Sequence, residues 1–354
     1  MTPEVTVARF SLDLRFPRSS GTGRESGRAL VRLSIGPPGG PEALGEASPM
    51  PGHSPDTADA CFEALQEHRR DLGDLALART MPQESAARLQ RWFERLPAAR
   101  AAAEFALAGY AALQSETPVS EIYGGGRRAA VPVNTVLPLR DLPPRSEELQ
   151  RVLRLGIKTF KLKAEDSLEA NLENFRMLQP LLPAGAVFRF DPNGRWDEDE
   201  TRRHAEAFRE EEIEYFEQPA METDPGGCAA LRKSLPISLA LDESVNSLAE
   251  LKRYLDAGAA DFYILKPTVL GGILATLEAA RLVRRAGAAF VVTSALEGAV
   301  GRRMCFEAAC LVPGPLRACG LDTARFLAGK DRGDGLQIAG GVMSAAPQTA
   351  GEKL

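Results

Sequence analysis

The stretch "AVFRFDPNGRW", residues 186–196, decides the fold. Apolar residues alternate as far as Phe190, an aspartate follows, and Pro192, Asn193 and Gly194 break the pattern at once. Period-two alternation ended by turn-forming residues reads as a β-strand running into a loop. The strand therefore delivers a carboxylate, Asp191, at its C-terminal tip.

The same construction recurs along the chain. Strand-like runs fall at 131–139, 158–163, 186–191, 213–217, 237–242, 262–266, 289–294 and 316–321, with helical patterns between them. "SLAE" at 247–250 is a capping box, and Gly258 and Gly287 follow helices they are suited to cap. Eight strands alternating with helices predict a closed parallel barrel, whose functional groups stand at the C-terminal strand ends. Asp191, Glu217, Asp242 and Lys266 end the third to sixth strands at intervals of 26, 25 and 24 residues. Lys163 ends the second strand 28 residues before Asp191, and Ser294 lies on the seventh, 28 after Lys266. One charged strand end reads as a helix cap or a solvent-facing group. Five in register read as a site.

Residues 1–120 have a different texture and predict an α+β capping domain before a barrel over 121–322 and a tail over 323–354. "VTVARFSLDLRF" (5–16) and "RALVRLSIG" (28–36) alternate like a hairpin pair, and helical patterns follow around 57–71, 82–95 and 98–114. The intervening "PRSSGTGRESG" (17–27) is rich in Gly, Ser and Arg, which leaves it either a plain surface loop or a lid.

Composition bounds the function. The 354 residues, 44% hydrophobic and 26% charged, describe a globular protein with a substantial core, and the net charge of -5 argues against nucleic acid as a partner. No apolar run approaches the ~20 residues of a membrane span, and the N-terminal stretch lacks a signal-peptide pattern. Five cysteines without CxxC spacing read as reduced core residues. A cytoplasmic location is expected.

Three carboxylates on neighbouring strands would repel by about 4 kcal/mol per close pair, roughly 12 kcal/mol together, at an effective dielectric of 20. A divalent cation removes that penalty. His53, His68 and His204 all fall off the strand ends, so the expected ligands Asp191, Glu217 and Asp242 are all oxygen donors, which favours Mg²⁺ first and Mn²⁺ second. His204, within "TRRHAEAFREEE", reads as part of a solvated helix face. Lys161 and Lys163 are i and i+2 and point to the same inward side, with Lys266 four strands away across the barrel mouth. A lysine acting as a base near neutral pH needs its pKa lowered about 3 units from ~10.4, and Lys161, a metal ion and desolvation all push that way. A metal flanked by opposed lysines suits removal of a proton from carbon next to a carboxylate, so a small-molecule carboxylate is the expected substrate. No nucleophilic triad and no phosphate-binding loop compete with this reading.

The ordered motifs "KLK", "FRFDPNGRW", "YFEQP", "LDES" and "ILKPTVLGG" resemble the enolase superfamily, in particular its muconate-lactonizing-enzyme-like subgroup. The resemblance implies Lys163 and Lys266 as the acid/base pair, with Lys161 beside them, and Asp191, Glu217 and Asp242 as Mg²⁺ ligands. It also implies a modified (β/α)7β TIM-type barrel under an N-terminal α+β cap completed by the C-terminal tail. "GEASPMPGHSPDT" (45–57), "TSALEGAVG" (293–301) and "GLDT" (320–323) are similar to segments of the o-succinylbenzoate synthase family. That likeness implies syn dehydration of 2-succinyl-6-hydroxy-2,4-cyclohexadiene-1-carboxylate in menaquinone biosynthesis, with Ser294, Asn193, Glu297 and the lid residue Arg24 as candidate substrate contacts. Related members racemise N-succinylamino acids, epimerise dipeptides or cycloisomerise muconate with the same site chemistry. A barrel that only binds a metal or ligand is the reading of another class, and intact lysines and carboxylates speak against it.

Overall fold

The computed structural model describes residues 3–20, 23–50, 53–138, 146–221, 224–328 and 334–345, with 16–20 and 23–25 described by backbone only. Alternation builds the N-terminal layer: β1 (Glu4–Ser20), β2 (Gly23–Gly36) and β3 (Ala43–Ala47) form an antiparallel sheet in that order. Val31, Leu33 and Ile35, two residues apart on β2, enter an apolar cluster with Leu65, Leu72, Leu89 and Phe93 from the helices Ala58–Glu67, Arg69–Leu77, Pro82–Trp92 and the turn after it. The segment expected as a loop at 17–27 is mostly strand. β1 and β2 stay paired through Arg18↔Glu25, Ser19↔Arg24 and Ser20↔Gly23, beyond a register shift between Asp13 and Arg18. Ladder hydrogen bonds between the two strands override the weak strand preference of Gly and Ser. The Arg24 side chain lies outside the described residues.

The Ala-rich helix Pro97–Ser115 is buried nearly all round, packed on the cap sheet and on the barrel. Small side chains allow that double approach. At Gly45 on β3 a Cβ would stand 2.0 Å from the Ala102 carbonyl oxygen. From the same helix Arg100 donates to the Leu270 and Gly271 carbonyls at 2.5 and 2.9 Å, and Glu104 accepts from Ile273 and Leu274 N–H at 2.7 and 3.1 Å. Glu104 thus caps the barrel helix Ile273–Arg285, with burial pushing its carboxyl up to about 7. A second latch joins the cap to the loop after the seventh barrel strand. Glu46 accepts from Gly298 N–H at 2.6 Å, and Arg28 donates to the Ala295 carbonyl at 2.7 Å and to the Pro49 carbonyl at 2.8 Å.

After β4 (Ala130–Pro132), the barrel strands are β5 (Asn134–Pro138), β6 (Thr159–Lys163), β7 (Val187–Asp191), β8 (Ile213–Glu217), β9 (Leu239–Leu241), β10 (Phe262–Leu265) and β11 (Ala289–Val292), parallel and adjacent in sequence order. Two parallel bridges, Val133↔Cys319 and Thr293↔Gly320, close the ring. The eighth strand expected over 316–321 is therefore only two residues long. Pro313 and Pro315 upstream lack donors for a longer ladder, and at Gly320 a Cβ would meet Thr293 Oγ1 at 2.1 Å. Alternation sorts the strands' two sides: Phe160, Phe188, Phe190 and Phe216 pack with Phe175 and Phe208 of the helical layer, while Lys161, Lys163, Asp191 and Glu217 line the interior.

Three further expectations are settled by packing. The tail does not lie wholly on the cap: Phe326 and Leu327 join Leu12, Leu14 and Leu30 of the cap hairpin, but β12 (Leu336–Ala339) and β13 (Val342–Ala345) form a hairpin whose β13 pairs with β4 at the opposite end of the barrel. The edge of β4 offers the hairpin a partner, and Gly341 N–H bonds the Leu155 carbonyl at 2.8 Å. His204 is not solvated. It shares the buried face of helix Glu198–Ala207 with Thr201 and Ala205, a spacing of i, i+3 and i+4, and is 1% exposed. All five cysteines are buried thiols, and among the described residues no helix is long and apolar enough to cross a membrane.

Gly45→Ala is expected to lower stability by about 1–3 kcal/mol, because its methyl group must push the Ala-rich helix off β3. Urea denaturation of the purified variant checks this.

Candidate active site

A cavity of about 680 Å³ opens at the C-terminal ends of the barrel strands. Lys161, Lys163, Asp191, Asn193, Glu217, Asp242, Lys266 and Ser294 all line it, with Leu14, Met50, Val136, Ile264, Leu296 and Phe326 as its apolar wall. Leu14, Met50 and His53 come from the cap, so cap and barrel share the cavity.

Lys161 Nζ stands 2.8 Å from Asp191 Oδ2 and 2.5 Å from Glu217 Oε1. Lys163 Nζ donates to Asp191 and, at 2.8 Å, to Asn193 Oδ1. Across the mouth, Lys266 Nζ lies 2.7 and 2.8 Å from the two oxygens of Asp242 and 2.9 Å from His53 Nδ1. Burial pulls the Lys161 ammonium down, but Asp191, Glu217 and Asp242 outweigh it and hold it well above the usual range. Lys163 goes the other way: burial lowers it, and the neighbouring Lys161 adds to the effect against the pull of Asp191. Asp191, buried yet clasped by two ammoniums, is held below the usual carboxylate range. Glu217 is pushed up to about 8, by burial first and then by Asp191 and Asp242.

Two residues to which the sequence reading gave no role belong to this centre. His53 reaches it from a cap loop, within the motif at 45–57 and far from any barrel strand end. Glu243 follows Asp242 within "LDES" and is pushed up to about 7 by burial and by Asp242. Gln218, in the left-handed region at φ 39°, accepts from Asp242 N–H at 3.0 Å and Ser244 N–H at 3.2 Å, fixing the loop that carries Asp242. Asn193, at φ 53°, donates its N–H to Asp191 Oδ1 at 2.9 Å.

Glu297 stands apart from the cavity. It is fully buried, accepting from Ser294 Oγ, from Ala295 N–H at 2.7 Å and from Thr268 Oγ1 at 2.9 Å. Its oxygens hold the Ser294 turn, where Leu296 takes φ 62°.

Three lysine ammoniums already stand among the carboxylates, so the repulsion counted from Asp191, Glu217 and Asp242 alone was too large. Among the described residues, the trio whose ligand atoms lie within 4.8 Å of one another is His53, Asp242 and Glu243. Ammonium groups stand between the carboxylates of Asp191, Glu217 and Asp242 instead. With Glu243 included, however, four acidic groups face three lysines, and Glu243 Oε2 is buried without a hydrogen-bond partner among the described residues. An oxygen-rich, cation-short donor set of this kind fits a hard divalent ion.

Adding such an ion should release protons. Glu217 and Glu243 hold protons up to pH of about 8 and 7 and must give them up as the ion neutralises the site. Release is expected at pH 6.5 and should vanish above about pH 9. Titration calorimetry of ion binding in buffers of different ionisation enthalpy measures it.

Comparisons with known proteins bear on the fold and the family. The family model "Enolase C-terminal domain-like" matches residues 145–351, more than half of the chain. A Thermobifida fusca protein described as o-succinylbenzoate synthase is 35% identical over 205 residues, 56% of this chain and 62% of that protein. One from Mycobacterium ulcerans with the same description is 32% identical over 56% of this chain and 58% of its own length. The chain thus matches about three fifths of the length of these relatives. A dipeptide epimerase structure from Methylococcus capsulatus, complexed with Mg and L-Arg-D-Lys, superimposes with TM-score 0.79 at 25% identity, covering 98% of each chain. Muconate lactonizing enzyme from Pseudomonas putida shares the fold, with TM-score 0.78 at 21% identity over 96% of this chain and 93% of that one. The chain belongs to the enolase superfamily, whose members bind a divalent metal.

Proposed function

We propose that this protein is a Mg²⁺-dependent lyase that dehydrates 2-succinyl-6-hydroxy-2,4-cyclohexadiene-1-carboxylate to 2-succinylbenzoate, a step of menaquinone biosynthesis. The observation that carries the reading is the unequal pair of lysines facing one cavity. Lys163 is lowered by burial and by Lys161, as a base requires, whereas Lys266 is engaged by both oxygens of Asp242 and by His53. The relatives described as o-succinylbenzoate synthase, at 32–35% identity, support the choice of reaction.

Asp191, Glu217 and Asp242 would hold the ion, with Mn²⁺ as a substitute. When bound, Mg²⁺ supplies positive charge for the substrate carboxylate and for the charge that develops on it. Lys163 takes the proton from the carbon bearing the ring carboxylate, and the C–H electron pair moves into that carboxylate. The pair returns to form the ring double bond as the C–O bond breaks, and Lys163 gives its proton to the departing hydroxyl on the same face. Water leaves. Lys266 keeps its proton throughout and stabilises the enediolate by fixed charge. Asn193 and Ser294 on the cavity wall are proposed substrate contacts, and Arg24 is proposed for a distal carboxylate. The whole-chain likeness to a dipeptide epimerase supports a second reading, racemisation or epimerisation with a proton donor on each face.

Asp191→Asn, Glu217→Gln and Asp242→Asn should each weaken metal binding and cost at least ~10² in rate, since each removes a ligand and several kcal/mol of charge stabilisation. Full dehydration by any of these variants, or by the enzyme in excess EDTA, would sink the metal assignment.

The lysines separate the two readings. Syn dehydration needs one base, so Lys266→Arg, which keeps the charge, should retain measurable dehydration while Lys163→Arg does not. Two-base chemistry would lose turnover in both. The checks are a spectrophotometric assay with the cyclohexadiene substrate and α-proton exchange of an N-succinylamino acid in D₂O. Equal loss of dehydration in both folded, metal-binding variants would overturn this division of roles.

A further inference from the structure

His204 does not line the cavity, yet hydrogen bonds lead from it to the backbone that follows Lys163. Its imidazole stacks on Trp196, with ring centroids 3.8 Å apart and planes inclined by 17°. Nδ1 lies 2.8 Å from the Glu200 carbonyl oxygen, so Nδ1 carries a proton. Nε2 lies 3.0 Å from Asn171 Nδ2. The Asn171 amide has one orientation, because its Oδ1 accepts from Glu165 N–H at 2.7 Å and its Nδ2 donates to the Glu165 carbonyl at 2.8 Å. Nε2 must therefore accept, and the ring is the neutral Nδ1–H tautomer.

Trp196 Nε1 donates to the same Glu165 carbonyl at 3.0 Å, and Arg195 donates to the Ala164 carbonyl. Residues 164 and 165, directly after Lys163, are thus pinned by Asn171, Trp196 and Arg195. His204 fixes the first by a hydrogen bond and the second by stacking. The geometry points to His204 as a positioning residue that sets Lys163 by locking the backbone after it, a lock that a proton on Nε2 would open. The proposal rests on the reading of Lys163 as the base.

Protonation would set an N–H of the imidazolium against the Asn171 amide N–H groups in a buried place, which neither partner can relieve by turning. Burial lowers the imidazole below its ordinary value. Glu200 and Arg203 on its own helix and Glu169 on the helix Leu168–Leu178 act on its charge, with Arg203 opposing a proton and the two glutamates favouring one. A folded-state pKa below the unfolded value of ~6.5 means the lock is intact above that pH and is lost as pH falls through the folded value.

Two substitutions test this. His204→Phe keeps the stacked ring and removes both hydrogen bonds; His204→Gln offers an oxygen to Asn171 and an N–H group to Glu200. We expect His204→Phe to lower kcat about 10- to 100-fold, as sub-ångström misplacement of a reacting group does, with KM and Mg²⁺ affinity nearly unchanged. Amide hydrogen exchange at residues 164–166 should speed up in parallel, and His204→Gln should restore most of both. A third readout needs no turnover. The chain has two tryptophans, Trp92 and Trp196, so in a Trp92→Phe background the fluorescence should be quenched by the stacked imidazolium at acid pH in His204 protein but not in His204→Phe. If His204→Phe is folded and matches the parent in kcat and in exchange at 164–166, the proposal is wrong. Should His204→Phe fail to fold, the protection of amides 164–166 in the parent, corrected for intrinsic exchange at each pH, decides across the Trp196 quench: unchanged protection overturns it. If no variant dehydrates the substrate but exchange follows His204 as described, the lock stands and the proposed function fails instead.

Discussion

The site depends on one placement: the Lys161 ammonium between Asp191 and Glu217, two buried carboxylates on adjacent strands. Burial raises the cost of every charge in that group, and only mutual pairing makes the set tolerable. The pairing is unequal by construction. Lys161 is surrounded by acids and stays charged, and Lys163, one step along the same strand face, has Lys161 as a neighbour and is lowered. Two lysines two residues apart thus acquire different chemistry from their position alone.

The cap forms one wall of that centre. Glu46 and Glu104 of the cap bind backbone N–H groups at the starts of barrel helices, and Arg28 and Arg100 of the cap bind carbonyls just before those helices. Each contact satisfies a helix end or loop group that would otherwise lie buried without a partner. The loops held in this way follow β10 and β11 and so carry on from Lys266 and Ser294. Cap docking and site geometry are one problem, which explains why a cap residue, His53, can stand 2.9 Å from Lys266.

On the outer side of the strands, a second layer of contacts works on the loops after β6 and β7. Trp196, His204 and Asn171 form a buried polar and aromatic group behind the turn after Lys163. Inside and outside supports therefore converge on the same short stretch of backbone, and the catalytic face of the barrel is shaped from both sides.

Sequence alone determined the repeat: period-two runs ended by Asp191, Glu217, Asp242 and Lys266 at near-constant spacing oblige a parallel barrel with those groups at one end, since each interval holds one strand, one helix and two turns. It also determined that Lys161 and Lys163 share a side, because side-chain direction on a strand has a period of two. What it could not determine were contacts between residues distant in the chain. Glu297 and Ser294 sit in one motif, yet only packing commits the glutamate to the turn and leaves the serine on the cavity. His204 was readable as buried from the spacing of Thr201, His204, Ala205 and Phe208, but the charged residues around it hid that pattern. The motif at 45–57 contains His53 but did not single it out, and the pairing of the C-terminal hairpin with β4 had no local signal at all. A sequence records which groups each segment can offer; which of them meet is fixed by the packing of one segment against another, and tertiary structure decided it.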